Sequence, residues 1–163
     1  PGGDERRVTL FRGVPSSSTA GVLTADFAGV NQIGCSISVV SFANVDQTTN
    51  QGVIQPTTDI TDFTSITVTL TQAFASANNA TYGAFGINAA EAQTPGTGFT
   101  ELHDVNHALP SVSLQTEWRV DNDTSVDQSS ASSVVRGGIA VELDYLEVGA
   151  AAPRLRTLMG VGT

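Results

Sequence analysis

Two histidines stand four residues apart, in the segment His103-Asp104-Val105-Asn106-His107. On a straight strand this spacing separates the two imidazoles by roughly 13 Å, because each residue advances a strand by about 3.3 Å. That distance is too long for one metal ion, so a metal site here requires a bend that brings the histidines together with Asp104 or Glu101. The spacing favours two exposed polar histidines.

Carboxylates at alternate positions mark a second candidate site, at Asp121, Asp123 and Asp127. Such alternation is typical of the start of a calcium-binding loop, in which hard oxygen ligands surround the ion. A helix-loop-helix calcium hand is excluded, because its sixth position is Val126 instead of Gly and its twelfth is Ser132 instead of Glu. The three carboxylates remain candidates for a looser calcium site, and a solvated turn is the alternative.

Nucleophilic catalysis has no recognisable motif in the chain. The serines do not stand in a Gly-x-Ser-x-Gly elbow, and no motif places a base against a nucleophile. Three glutamates, Glu101, Glu117 and Glu142, lie on different predicted strands, so their separation, which would decide glycoside hydrolysis, is not fixed by sequence. We therefore expect no enzyme activity, no catalytic residue and no cofactor.

The aromatic residues Tyr82 and Trp118 are candidates for stacking against a sugar ring. The alternative is that Trp118 fills the core, because Trp118 and Val120 share one face of an alternating segment while Glu117 and Arg119 occupy the other. Aromatic residues make up only 6% of the chain, which is few for a glycan-binding surface. Cys35, within an apolar segment, is expected to be a small buried hydrophobic residue.

The elements that must position these residues are predicted to be strands. Apolar and hydroxyl-bearing residues alternate most clearly at residues 65–71, where Ile66, Val68 and Leu70 point one way. Short segments rich in Asn, Asp, Gly, Pro and Ser separate the strand-like runs. In all, eight strands are predicted, at Val8 to Arg12, Gly21 to Phe27, Cys35 to Phe42, Ser65 to Thr71, Tyr82 to Asn88, Phe99 to Val105, Val112 to Val120 and Ile139 to Val148. The fold class is all-β, an antiparallel and jelly-roll-like sandwich with extended terminal arms.

Charge narrows the range of partners. The 163 residues include 16 acidic and 7 basic side chains, and all of the basic ones are Arg, for a net charge of -9. Nucleic acid and anionic membranes are bound through clustered cations, so neither is expected as a partner. The absence of Lys also excludes a P-loop and a Schiff base. No apolar run approaches the length of a membrane span.

The C-terminal residues differ in character from the rest of the chain. After the break at 149–153, the last ten residues are apolar and cationic, with Arg154 and Arg156 among Leu155, Leu158 and Met159. We therefore divide the chain into a sandwich domain at 1–148 and a docking tail at 149–163. The expected assembly contacts are those five tail residues together with three residues near the N-terminus, Val8, Leu10 and Arg12.

The segment SVVSFANVDQTT at 38–49 resembles the VSFxGVDQTTP segment of a β-sandwich, jelly-roll-like module of bacterial secreted multidomain proteins and phage structural proteins. The resemblance covers roughly Cys35–Leu143. Its further matching segments are 65–71, 99–102, 115–119 and 138–143. Asn44 and Asn50 stand where the module commonly has Gly and Pro. The module usually has further strands upstream of the one that Val8–Arg12 resembles, so either an upstream segment is missing or another chain fills the gap. The open edge that results must be covered or paired, which favours an oligomer or a larger assembly.

These observations favour a non-catalytic structural protein on the exterior of a large assembly. Its most specific form is a phage or virus capsid decoration or tail-associated protein at the virion surface, forming a homo-oligomer or binding neighbouring subunits. The alternative is a carbohydrate-binding accessory module of a secreted or cell-surface bacterial protein. In that case Tyr82, Trp118 and the loop at 121–127 would contact the glycan. Both hypotheses place the protein outside the cell.

Overall fold

The computed structural model describes residues 7–13, 22–31, 33–48, 52–121 and 123–146. Eight strands form within these residues. They are β1 (Val53–Thr61), β2 (Ser65–Thr69), β3 (Ala80–Ile87), β4 (Gln93–Pro95), β5 (Thr100–His107), β6 (Val112–Val120), β7 (Ser125–Ser130) and β8 (Arg136–Leu143). In this part of the chain, no helix is long and apolar enough to cross a membrane.

The strands form two antiparallel sheets. One sheet has five strands in the order β1-β8-β3-β6-β5, and the other has three in the order β2-β7-β4. This order is jelly-roll-like, because successive strands alternate between the two sheets until β5, which pairs with β6 at the edge of the larger sheet. The predicted fold class, an all-β antiparallel sandwich, is confirmed.

Five of the predicted strands are confirmed, because residues 65–71, 82–88, 99–105, 112–120 and 139–148 each overlap a strand of the structure. The other three predictions are wrong for the residues that are described, since 8–12, 22–27 and 35–42 pair with no strand. In their place the structure has β1, β4 and β7, none of which was predicted.

Between the two sheets, the apolar core is centred on Phe85 of β3. Around it pack Ile66, Val68, Leu70, Phe99, Val126 and Ala140. The ring needs the two glycines beside it. A Cβ on Gly138 would lie 2.7 Å from the Phe85 ring, and one on Gly83 would lie 2.8 Å from it. The centre of the core is therefore the Phe85 ring, packed directly against the backbone of Gly83 and Gly138.

A second apolar cluster lies on the other face of the five-stranded sheet, away from the three-stranded sheet. It contains Tyr82, Ala84, Val141 and Leu143, with the half-buried Trp118 and Ile139 beside them. Side chains that precede β1 cover this face, namely Val8, Val40 and Phe42. The molecule thus has a third layer, contributed by the N-terminal part of the chain.

The outer face of the three-stranded sheet has the opposite character. Its cross-strand pairs are Ser65 with Ser129, Thr67 with Asp127, and Thr69 with Ser125, and Thr94 of β4 also pairs with Ser129. The inward positions of β2 are the buried Ile66 and Val68. We call the Ser, Thr and Asp side of this sheet the hydroxyl face.

Candidate functional site

Residues 33–42, here called the covering segment, run alongside β6 over the outer face of the larger sheet. Near one end Gly34 lies against Pro110, and in the middle Ser38 Oγ shares hydrogen bonds with His103 Nδ1 at 2.8 Å and Thr116 Oγ1 at 3.2 Å. At the other end Phe42 packs on Tyr82 and Trp118. The segment therefore follows β6 from its first residues to its last.

The covering segment has the alternation of a strand but no neighbouring strand. Ser36, Ser38, Val40 and Phe42 are half-buried against the sheet, while the residues between them are exposed. Within the described part of the chain, residues 33–42 belong to no ladder and make no backbone–backbone hydrogen bond. The predicted strand at 35–42 thus has the alternation of a strand, and its pairing needs a partner that the described residues do not supply.

The outward side of the covering segment is apolar. Ile37 is 52% exposed and Val39 is 66% exposed. The uncovered parts of the same sheet face add Ile60 of β1, Val105 of β5 and Val120 of β6. We call these exposed side chains, together with Ile33, the docking face. This surface was not predicted, because 35–42 was expected to be a strand with Cys35 buried and because the Trp118 and Val120 side of β6 was expected to face the core.

Cys35 lies on this outward side and is exposed, so the expectation that it is buried is wrong. Cys35 is exposed because the side of the covering segment that carries it faces away from the sheet. Among the expected N-terminal contacts, Val8 packs over Gly86 of β3, whereas Leu10 and Arg12 are exposed. The expected tail contacts Arg154, Leu155, Arg156, Leu158 and Met159 lie outside the described residues.

The two aromatic residues suggested for glycan stacking lie beneath the covering segment. Tyr82 is buried, and its ring centroid is 5.7 Å from that of Phe42 in an edge-to-face arrangement. Trp118 is half-buried, with its ring centroid 5.9 Å from that of Phe42. The expectation that Trp118 fills the core between the sheets is wrong, because this residue faces the opposite side of β6. Phe42 occupies the space that a sugar ring would need.

The two histidines share the outer side of β5 but have different partners. His103 Nδ1 binds Ser38, whereas His107 Nδ1 lies 3.3 Å from the carbonyl oxygen of Pro110. A bulge between Glu101 and His103 interrupts the pairing of β5 with β6. Among the described residues, no group of three or more His, Cys, Asp and Glu side chains is arranged to hold a metal ion.

Arg119 occupies the centre of the proposed calcium site. Its Nε donates to Asp121 Oδ2 at 2.7 Å, and its Nη1 donates to Asp123 Oδ2 at 2.6 Å. The guanidinium also lies 5.8 Å from the centre of the Phe99 ring. Arg119 thus supplies the positive counter-charge for both carboxylates from within the protein. Asp127 lies on β7, the next strand along the chain. The alternation at 121–127 thus serves an ion-paired turn.

Buried polar side chains lie between the sheets beside the apolar core, and the sequence did not predict them. Glu117 and Gln115 of β6 are fully buried there, and Gln115 Nε2 donates to Glu117 Oε2 at 3.1 Å. The backbone N–H of Gly96 donates to the same oxygen at 3.2 Å. Burial raises the pKa of Glu117 to about 7, and the negative charges of Asp127 and Glu101 add to that rise. This carboxyl group is therefore half protonated near neutral pH.

Two further buried charges hold loops in place. Arg136 of β8 donates through Nη1 to Gln128 Oε1 at 3.1 Å and through Nη2 to the Ser132 carbonyl at 2.8 Å. Glu142 accepts hydrogen bonds from the side-chain amides of Gln55 and Asn79 and from the backbone N–H of Ala75. Ala75 and Asn79 lie in the connection between β2 and β3, so their hydrogen bonds to Glu142 hold that connection against β8.

A cleft of about 520 Å³ opens where the larger sheet ends, between residues 42–45, 77–80, 120–121 and 143–145. Its apolar lining includes Phe42, Val45, Val120 and the exposed ring of Tyr145. Its charged lining consists of Asp121 and Asp144, and none of the described residues that line it is cationic. An adjoining cleft of about 460 Å³ shares Phe42 and Val45 and adds Asp46 and Leu146. We call the two together the acidic cleft.

The backbone around the acidic cleft is tied together. Asp46 N donates to the Asp144 carbonyl at 2.9 Å, and Leu146 N donates to the Asn44 carbonyl at 2.8 Å, so residues 44–46 extend the sheet beside 144–146. Burial raises the pKa of Asp144, and the nearby charges of Asp46 and Glu142 raise it further. The cleft is therefore a formed site with an excess of negative charge.

The described residues thus present two surfaces suited to a partner, the docking face and the acidic cleft. A serine and a histidine are in hydrogen-bond contact beneath the docking face, at Ser38 and His103, and the partners described for this imidazole are the hydroxyl groups of Ser38 and Thr116, with no carboxylate among them. The resemblance at 38–49 falls on the covering segment and on one wall of the acidic cleft. Comparison of the chain with protein-family models, curated proteins and solved structures finds no match.

Proposed function

We propose that this protein is a non-catalytic structural subunit that attaches to neighbouring subunits of a large assembly through its docking face. The covering segment carries the proposal, because it is a strand-like element with apolar side chains on both sides and, among the described residues, no strand beside it. Isolated domains protect such edges, whereas subunits of assemblies use them for pairing. A neighbouring subunit would supply the missing backbone partners and cover Ile37 and Val39.

The charge distribution supports the same function. The chain carries a net charge of -9, yet residues 27–45 contain no charged side chain. Acidic subunits repel one another, and this repulsion is smallest when uncharged surfaces face each other. The covering segment is therefore a place where two acidic molecules can approach closely.

The most specific form of the proposal is a decoration or tail-associated protein on the exterior of a phage or virus particle. In this arrangement the docking face would lie against neighbouring copies of the chain on the particle, and the hydroxyl face would be in contact with solvent. The contrast between these two faces supports the arrangement, because large apolar side chains are exposed on the first and Ser, Thr and Asp line the second.

The alternative function is a carbohydrate-binding accessory module of a secreted or cell-surface protein. The contacts of Phe42 with Tyr82 and Trp118 weigh against this function, since the two rings are not open to a sugar. The Thr-rich and Ser-rich surface is compatible with either function, so the structural role rests on the docking face alone.

A paired substitution tests the docking face. The double variant Ile37→Asp, Val39→Asp should weaken association roughly a hundredfold, because burying two branched aliphatic side chains contributes roughly 3 kcal/mol or more and each 1.4 kcal/mol is a tenfold change. The fold should persist, since both side chains are exposed in the single chain. Association is measured by sedimentation equilibrium and folding by circular dichroism.

The matched control is Thr67→Asp, Thr69→Asp, which adds the same two charges to exposed positions of β2 on the hydroxyl face. This control should associate like the unmodified chain. If both double variants associate equally well, the docking face is not the attachment surface and the proposal fails.

A further inference from the structure

We infer that the acidic cleft receives residues 154–159 of a neighbouring copy of the chain. This inference rests on the proposed function and adds to it the identity of one partner and the place where it binds. The segment is Arg-Leu-Arg-Thr-Leu-Met, so cationic and apolar side chains alternate at its start. Its chemistry complements a cleft lined by apolar side chains and carboxylates.

Charge complementarity is the first argument. Asp46, Asp121 and Asp144 line the acidic cleft, and no described lining residue is cationic. Because Asp121 is ion-paired with Arg119, the excess negative charge of the cleft comes from Asp46 and Asp144. The chain has only seven cationic side chains in all, and two of them are Arg154 and Arg156. Arg119 and Arg136 are already engaged in contacts within the sandwich. Arg6 and Arg7 directly follow Asp4 and Glu5, whereas residues 148–163 contain no acidic side chain, so the tail carries two cationic side chains with no acidic one beside them.

Apolar complementarity is the second argument. Between its carboxylates the cleft exposes Val120, which is 60% exposed, and the ring of Tyr145. Leu155 stands between the two arginines in sequence, so its side chain can enter the apolar part while the guanidiniums reach the rim. Arg is suited to such sites because its planar fork binds a carboxylate through two parallel hydrogen bonds.

The position of the tail favours a neighbouring copy over the same chain. Leu146 already lines the cleft, and seven residues separate it from Arg154. Fully extended, these residues span roughly 25 Å, which is enough to reach an adjacent subunit. To return to its own cleft the chain would have to reverse within 147–153, where Gly149 is the one glycine and Pro153 has a fixed φ.

This contact is heterologous, because the tail of one subunit binds the acidic cleft of the next and the two contacting surfaces therefore differ. Repeated around a symmetry axis it closes a ring of subunits. The docking face and the acidic cleft would then act together, the first attaching each subunit and the second linking each subunit to the next.

Charge reversal on full-length chains tests the inference. The tail variant is Arg154→Glu, Arg156→Glu, and the cleft variant is Asp144→Lys. Each variant alone should associate at least roughly tenfold more weakly than the unmodified chain, which corresponds to the loss of one favourable charge pair. An equimolar mixture of the two should recover association, because the cleft variant keeps an unmodified tail and the tail variant keeps an unmodified cleft.

Two controls make the result specific. Arg154→Lys, Arg156→Lys keeps the tail charge and loses only the paired hydrogen bonds, so it should associate more weakly than the unmodified chain and more strongly than the tail variant. Asp59→Lys makes the cleft variant's change on exposed β1, away from the cleft. Circular dichroism checks that each variant folds. If Asp144→Lys does not fold, Asp144→Asn removes the charge with less disturbance and should also weaken association.

Three outcomes would overturn the inference. Unchanged association of the tail variant would show that the tail contributes nothing, while the docking face could still act. Failure of the mixture to recover association would place the tail in its own cleft. Weak association of Asp59→Lys equal to that of the cleft variant would mean that overall charge is responsible. A failure of the proposed function is distinguishable, because the Ile37→Asp, Val39→Asp variant would then associate like the unmodified chain while the tail variant still associates more weakly.

Discussion

Replacing Phe85 with alanine should lower the free energy of unfolding by about 3–5 kcal/mol, which is the usual cost of truncating a buried Phe. Phe85 is 0% exposed and is the large ring at the centre of the core between the sheets. The cavity left by the substitution has backbone on two sides, at Gly83 and Gly138, where no side chain can move in to fill it. We therefore expect the loss to be near the upper end of the range.

The measurement is urea unfolding of the variant and the unmodified chain, followed by fluorescence of Trp118. Phe63→Ala is the matched control, because Phe63 is 70% exposed and its truncation should change stability by less than about 0.5 kcal/mol. Equal losses for the two variants would contradict the placement of Phe85 at the centre of the core.

Replacing Glu117 with glutamine should stabilise the protein by about 3 kcal/mol at alkaline pH and by little at pH near 4. The carboxyl group is fully buried, and its pKa is raised from 4.5 to about 7. Each pKa unit corresponds to about 1.4 kcal/mol of difference between the two protonation states. Glutamine has the size of the protonated acid and keeps an oxygen to accept from Gln115 and Gly96.

The sign follows from the raised pKa. In the unfolded chain Glu117 releases its proton near its ordinary pKa, whereas the folded protein retains that proton until about pH 7. The folded state therefore binds more protons between these values, and the contribution of Glu117 to stability falls as the pH rises through this range. Above pH 7 the loss is complete, so the advantage of glutamine should be constant there.

The difference in unfolding free energy between the variant and the unmodified chain, measured from pH 4 to 9, isolates this residue from the other carboxylates. Glu101→Gln is the comparison, since Glu101 is the exposed partner of Glu117 across the β5–β6 ladder and its charge adds to the raised pKa of Glu117. Removing that charge should leave most of the pH dependence in place, because burial is its largest cause. A flat curve for Glu117→Gln would mean that the buried carboxyl group is solvated or neutralised by a cation.

The sequence predicted the fold class because alternation is strong in β2, β3, β5, β6 and β8. It missed β1 because Pro56 lies within that strand, and a proline argues against a strand except at an edge, which is where β1 lies. It missed β7 because Val126 is the one large apolar residue of that strand, and the alternating carboxylates indicated a turn. The three residues of β4 are too few to show a period.

The candidate sites were harder to predict because a period of two separates the faces of a strand without showing which face is inside. In β6, Trp118 and Val120 were expected to face the core, yet Glu117 and Gln115 lie between the sheets. The reason is the covering segment, which buries part of the apolar side as a third layer. The acidic cleft joins four separate segments, so no local pattern contains it.

The most direct test of the account is sedimentation velocity of the unmodified 163-residue chain across the micromolar range, with mass determined at each concentration. If the docking face attaches subunits to one another, the 16.8 kDa monomer should be replaced by an oligomer of defined mass as the concentration rises. A chain that stays monomeric at every concentration, and stays so at low and high salt, would contradict the claim that the docking face serves attachment to other subunits.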